Sequence, residues 1–172
     1  MTVEEFVHDV IEFVRVHQVW AAPTVFVLAF GESLAFLSLL IPGWAALVGI
    51  GALVGVSGIN FWPVWIAGSI GAALGDWVSY SVGYYFKDSV AKIWPLSRNP
   101  DLLVRAENFV SRWGIPSIFI GRFFGPLRAF VPLAAGIFEM PYLKFQLANF
   151  TSAFVWAGAV LGPGAFGMKY LF

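Results

Sequence analysis

Apolar and polar positions divide this chain into a few long blocks. Over residues 2–19 they alternate at helical spacing, with Phe6, Val10, Phe13 and Val14 on a face opposite Glu5, Asp9 and Glu12. Thr2 and Glu5 form a capping-box pair at its start. The pattern predicts an amphipathic helix lying in a membrane interface. Residues 20–58 are apolar except for one acid, Glu32, and are interrupted at Pro42-Gly43. Their 39 residues exceed one crossing, for which about 20 suffice. Two full spans fit this block, and so does a re-entrant hairpin that enters and leaves on one side. Residues 61–86 predict one long span, with Gly68, Gly71 and Gly75 as a close-packing stripe. Asp76, Tyr80 and Gly83 follow on a neighbouring face, and Trp62, Trp65, Tyr84 and Tyr85 suit its two interfaces.

The second half repeats this order. Residues 87–113 are polar, and Asn99-Pro100-Asp101 opens an amphipathic helix over 101–113. Residues 115–137 are apolar but contain Arg122 and Arg128, with a Gly125-Pro126 break between them and Pro132 beyond. Residues 141–168 predict a last span, with Lys144 and Lys169 near its ends and Gly158, Gly162, Gly164 and Gly167 along it.

Composition decides the solvent. The 172 residues are 59% hydrophobic and 12% charged, against about 25% charged in soluble domains. That is an integral membrane protein, all-α, multi-pass, read as a single membrane domain over residues 1–172. A net charge of zero gives no field for nucleic acid. The absence of cysteine excludes thiol chemistry and Cys-ligated metals. The acidic start Met-Thr-Val-Glu-Glu lacks the basic region of a signal peptide. In residues 87–113 five basic residues face three acids, which predicts a cytoplasmic loop. The acidic first helix then lies outside if one true span separates the two.

An internal repeat links the halves. Trp20-Ala21-Ala22-Pro23-Thr24-Val25-Phe26-Val27 matches Trp113-Gly114-Ile115-Pro116-Ser117-Ile118-Phe119-Ile120, with Trp, Pro and Phe identical. After three extra residues in the first copy, Glu32 stands ten before Pro42, as Arg122 stands ten before Pro132. Repeat one covers about 2–86 and repeat two about 100–170. If each broken segment is a hairpin, each repeat crosses the membrane once and the two are inverted, a transporter arrangement. The same register sets Glu32 against Arg122.

The deep charges are Glu32, Asp76, Arg122 and Arg128, which sum to zero. They can neutralise one another and fix hairpin packing, or they can line a cavity for a charged substrate. Intramembrane charges usually mark such a path. Guanidinium donors match phosphate bidentately, so Arg122 and Arg128 are candidate phosphate ligands. Desolvated carboxylates in general take up protons more readily, so Glu32 and Asp76 are candidate proton sites. For Asp76 a hydrogen bond to Tyr80 is the structural alternative. His8 and His17 lie outside the core, Ser33, Ser38, Ser79 and Ser81 have no His base nearby, and Glu139 reads as a surface acid. No enzymatic centre, cofactor or metal is expected.

These residues resemble the DedA family of bacterial membrane proteins, also called SNARE-associated or VTT-domain proteins. The likeness covers residues from about 20 to 168. It rests on Gly121-Arg122-Phe123 with Pro126 through Pro132 and Ala135-Gly136, and on Gly75-Asp76 with Tyr80 and Gly83. Glu32 with Pro42-Gly43 adds to it, as do Phe145, Asn149 and Trp156 in the last span. The resemblance implies two facing re-entrant hairpins in an inverted repeat. It also implies movement of an anionic lipid across the cytoplasmic (inner) membrane, with undecaprenyl phosphate first; other members of the family are linked to phospholipids such as phosphatidylethanolamine. Its functional acid falls on Glu32 and its arginines on Arg122 and Arg128. Two positions depart: Lys87 stands where a Gly is common, a variation at the span's end, and Trp44 stands where the family usually has an acid after Pro-Gly, which is the departure that matters. Passive scrambling therefore stands beside proton-coupled flipping. A proton-coupled carrier of a small solute or ion, and a scaffold whose charges only hold the fold, are the readings from other classes. The chain is small for rocking domains, so either the hairpins move or a homodimer supplies the rest.

Overall fold

In the computed structural model the described residues are 12, 16–34, 43–87, 89 and 100–171. Side chains at 43, 44, 100, 102, 125–127, 129 and 168–171 lie outside that description. So do Pro42 and most of the expected interfacial helix over 2–19. A 3-10 turn at Gln18–Trp20 leads into α1 (Ala21–Ser33). There follow α2 (Gly43–Ser57), α3 (Phe61–Phe86), α4 (Pro100–Trp113), α5 (Ile115–Gly121), α6 (Gly125–Ile137) and α7 (Tyr142–Leu171). Among the described residues every regular element is helical.

Local chemistry sets the ends. Asn60 caps α3, its side-chain oxygen accepting from the Trp62 amide at 3.2 Å. Gly58 and Gly114 take φ of +70° and +56° at the turns before α3 and α5, a region that costs glycine nothing. In α4, Asp101 lies in the first turn and Arg112 in the last, each favoured by the helix dipole. Its Ala106 and Val110 are buried against the core while Arg105 and Arg112 face out. Residues 61–86 form the long helix that the pattern predicts, and α7 runs three residues beyond the expected 168.

Two of the expected breaks shift. Gly125 and Pro126 are not in the break but begin α6; Pro126 sits in the first turn, where a missing amide hydrogen is tolerated. Pro132 lies inside α6, not at an interruption. It has no hydrogen to give the Arg128 carbonyl four residues back. The actual interruption is the short turn at 122–124.

The helices pack in an exchanged pattern. α1 lies along α3 and α5 against α7, whereas α2 crosses to α7 and α6 crosses to α3. α3 and α7 also pack on each other. Glycines let the backbones meet. A Cβ at Gly71 or Gly75 would overlap the α1 carbonyls of Phe26 or Phe30. At Gly83 it would overlap the Leu133 carbonyl of α6, and at Gly164 the Ala52 amide of α2. Gly164 follows Gly83 by 81 residues, and Leu133 follows Ala52 by the same 81. Gly136 against Tyr84, and Gly55 against Ala165, repeat the relation with the same step of 81.

The surface is inverted relative to a water-soluble protein. Val27, Trp62, Tyr85, Leu143, Leu147 and Val155 are exposed, while Glu32, Asp76, Arg122 and Arg128 are buried. Charged residues are almost never buried unless paired, and large apolar faces are not left to water. Within the described residues, Tyr142–Gly167 is long and apolar enough to cross a membrane by length and composition alone. The equally long α3 carries its polar residues Ser69, Asp76 and Ser79 on buried faces.

Candidate functional site

Two apolar clusters fill the interior. One gathers Tyr80, Phe130, Leu133 and Phe145; the other gathers Val25, Leu47, Ala72, Ala153 and Leu161. Along α3 and α7 the polar residues Asp76, Asn149 and Ser152 fall between these clusters. At about 1.5 Å per residue, Asp76 lies roughly 22 Å from the start of α3 and 15 Å from its end. Asp76 and the Arg122 paired with it thus sit well inside α3, away from both of its ends.

They form two ion pairs. Arg128, one turn into α6, donates through Nη1 to Glu32 Oε1 at 2.7 Å and through Nη2 to Ser33 Oγ at 3.2 Å. Its guanidinium carbon stands 4.0 Å above the Trp156 ring centre, a cation–π stack. Arg122, in the turn after α5, pairs through Nη2 with Asp76 Oδ2. The same nitrogen donates to Asn149 Oδ1 at 2.6 Å, and Nε donates to Ser152 Oγ at 3.0 Å. Asn149 Nδ2 in turn donates to the Ala73 carbonyl at 2.8 Å, tying α7 to α3. Four charged-group atoms have no hydrogen-bond partner among the described residues: Glu32 Oε2, Asp76 Oδ1, Arg122 Nη1 and Arg128 Nε.

Two expected pairings are corrected. Glu32 faces Arg128, not Arg122. α5 has 7 residues against 13 in α1, so Arg122 and Glu32, equivalent in sequence register, do not meet; Arg122 turns toward α3 and α7 instead. Asp76 does not bond Tyr80. The Tyr80 hydroxyl reaches past it and donates to the Met140 carbonyl at 2.7 Å. Glu139 is exposed and pairs with Lys87. Pro42 and the Trp44 side chain lie outside the described residues. Among the described residues no three His, Asp or Glu side chains come together to hold a metal.

Sequence reasoning noted Asn149 and Trp156 without a role and missed Ser152. The signal was there: Phe145, Asn149, Ser152 and Trp156 recur at helical spacing and share the buried face of α7. With the step of 81 that relates the glycine contacts, Asn149, Ser152 and Trp156 correspond to Gly68, Gly71 and Gly75 of α3. In α3 those glycines admit α1. In α7 the larger side chains occupy the equivalent face and hold the arginines.

A family model for the VTT domain matches residues 41–166. The chain belongs to the VTT-domain family. This is the DedA family, as the motifs imply. Among curated relatives, the inner membrane protein YabI of Escherichia coli (strain K12) is 36% identical over 152 residues, 88% of this chain and 60% of the relative. An uncharacterized membrane protein, BU139, of Buchnera aphidicola is 33% identical over 152 residues, 88% of this chain and 59% of the relative. A third, Mb2670 of Mycobacterium bovis, is 34% identical over 128 residues, 71% and 59% of the two chains. The chain therefore spans about 60% of the length of these relatives. It is a membrane protein. No solved structure matches it.

Proposed function

We propose that this protein is a lipid translocator of the bacterial cytoplasmic membrane, not an enzyme. It moves an anionic lipid phosphate from one leaflet to the other, with undecaprenyl phosphate as the first substrate to test. The observation that carries the reading is the buried set Glu32, Asp76, Arg122 and Arg128, each with one unpartnered polar atom. The helix α6 begins three residues after Arg122, and the free amides of a helix start favour an anion. In this reading Arg122 and Arg128 receive the phosphate while Glu32 takes or releases a proton. Asp76, bound to Arg122, holds the countercharge.

The reading includes a membrane topology. α1, α2 and α6 have 13, 15 and 13 residues, or about 20–23 Å, too short for a hydrocarbon core of about 30 Å. α3 and α7 have 26 and 30 residues, long enough to cross. We take α1–α2 and α5–α6 as re-entrant hairpins and α3 and α7 as antiparallel spans of an inverted repeat. The exchanged packing and the constant step of 81 between paired glycine contacts support this two-fold relation.

Passive scrambling is a second reading, favoured by Trp44 at the position where a second acid is usual. The deciding experiment is transport of undecaprenyl phosphate by purified protein in vesicles, with and without a pH gradient. Flux that rises with the gradient supports coupling, and flux indifferent to it supports scrambling. Full transport by the Arg122→Ala/Arg128→Ala double variant would sink both.

A further inference from the structure

The two buried arginines are not held alike. Arg122 is anchored through Nη2 and Nε to three side chains on two long helices: Asp76 on α3, and Asn149 and Ser152 on α7. Nη2 also reaches the Asn149 carbonyl at 3.3 Å. The anchor is itself braced, because Asn149 bonds the Ala73 carbonyl and Ser152 donates to the Asn149 carbonyl at 3.0 Å. The side chain of Arg122 is 1% exposed. Arg128 makes no hydrogen bond to a side chain of either long helix, and the Asp76 carboxylate of α3 acts on it only through space. Its two hydrogen bonds go to Glu32 and Ser33, the last residues of the short helix α1. Its remaining partner is the face of Trp156, which holds a flat cation in place without consuming any of its N–H donors.

From this we propose that Arg128 is the exchangeable cation of the site, with Glu32 as its internal stand-in anion, and that Arg122 is the fixed cation, which meets the phosphate without releasing Asp76, Asn149 or Ser152. The proposal rests on the lipid-phosphate reading for the identity of the displacing anion, but not for the difference between the arginines. Glu32 engages Arg128 through one oxygen on Nη1 while Ser33 holds Nη2, so a phosphate oxygen pair that took both nitrogens would replace the two together. An entering phosphate therefore competes with Glu32 for Arg128 while Trp156 keeps the guanidinium plane. Ser33 is the second group that exchange must release. The 81-residue correspondence explains how the difference arises. Where α3 has Gly68 and Gly71, α7 has Asn149 and Ser152, which clamp Arg122; where α3 has Gly75, α7 has Trp156, which offers Arg128 a surface without a bond.

The test uses phenylglyoxal, which reacts with accessible guanidinium groups, and locates adducts in the full-length protein by mass spectrometry. In vesicles without added ligand, Arg128 is expected to label at least several-fold faster than Arg122, and Glu32→Gln is expected to speed labelling of Arg128 and not of Arg122. Trp156→Phe is expected to speed labelling of Arg128 and not of Arg122, which separates positioning from loss of fold, because unfolding would expose both arginines. Equal labelling of the two arginines, or faster labelling of Arg122 in folded protein, overturns the proposal. Addition of undecaprenyl phosphate is then expected to protect Arg128. Unequal labelling without protection supports the division between the arginines and removes this lipid phosphate as the displacing anion.

Discussion

Asp76 and Arg122 illustrate how single residues are constrained when they are buried as a charged pair. Removing one partner of a buried ion pair leaves the other charge uncompensated, at a cost of about 3–5 kcal/mol. Asp76→Asn is therefore expected to lower the thermal unfolding midpoint in detergent sharply. Arg122→Met together with Asp76→Leu removes both charges and is expected to recover much of that loss. Tyr80 makes a smaller contribution. Tyr80→Phe abolishes the hydroxyl's bond to the Met140 carbonyl and is expected to cost about 1–3 kcal/mol, while its ring still stacks on Phe145. A loss for Tyr80→Phe as large as that for Asp76→Asn would contradict this ranking.

At the scale of elements, glycine positions decide which helices approach. Gly136 and Gly55 each sit against a neighbouring backbone, where an added methyl group has no side chain to push aside. Gly136→Ala and Gly55→Ala are both expected to destabilise by more than 2 kcal/mol, within the range for overpacking of a tight core. Gly49 on α2 has open space at its Cβ position. Gly49→Ala is expected to be neutral or mildly stabilising, since alanine is the better helix former by about 1 kcal/mol. Measured melting temperatures of the three variants check both statements at once. Pro132 acts at this scale too: it leaves the Arg128 carbonyl outside the α6 ladder, at the turn that carries the exchangeable arginine.

For the whole molecule, the question is whether the charges do more than hold the fold. Because Glu32 pairs with Arg128, the informative reversal is Glu32→Arg with Arg128→Glu. A scaffold would tolerate it and retain function. A translocator that presents Arg128 to a phosphate is expected to stay folded, by size-exclusion profile and melting temperature, and to lose transport by at least tenfold. Retained transport in the folded reversal variant would show that this pair holds the fold and does not carry the phosphate.

Much was legible in the sequence because it depends on local period and on solvent. The 61–86 helix, the helix opened by Pro100, the membrane environment and the four deep charges follow from hydrophobic runs, caps and the rarity of intramembrane charge. Which carboxylate meets which arginine was not legible. That pairing depends on how far α5 falls short of α1, on the direction in which the turn at 122–124 aims Arg122, and on the exchange of α2 and α6 between the two long helices. These are distances between segments far apart in the chain, and no periodicity encodes them. The tertiary structure alone decided that Asn149, Ser152 and Trp156 hold the two arginines, because a side chain acquires a partner only when another helix is brought within reach.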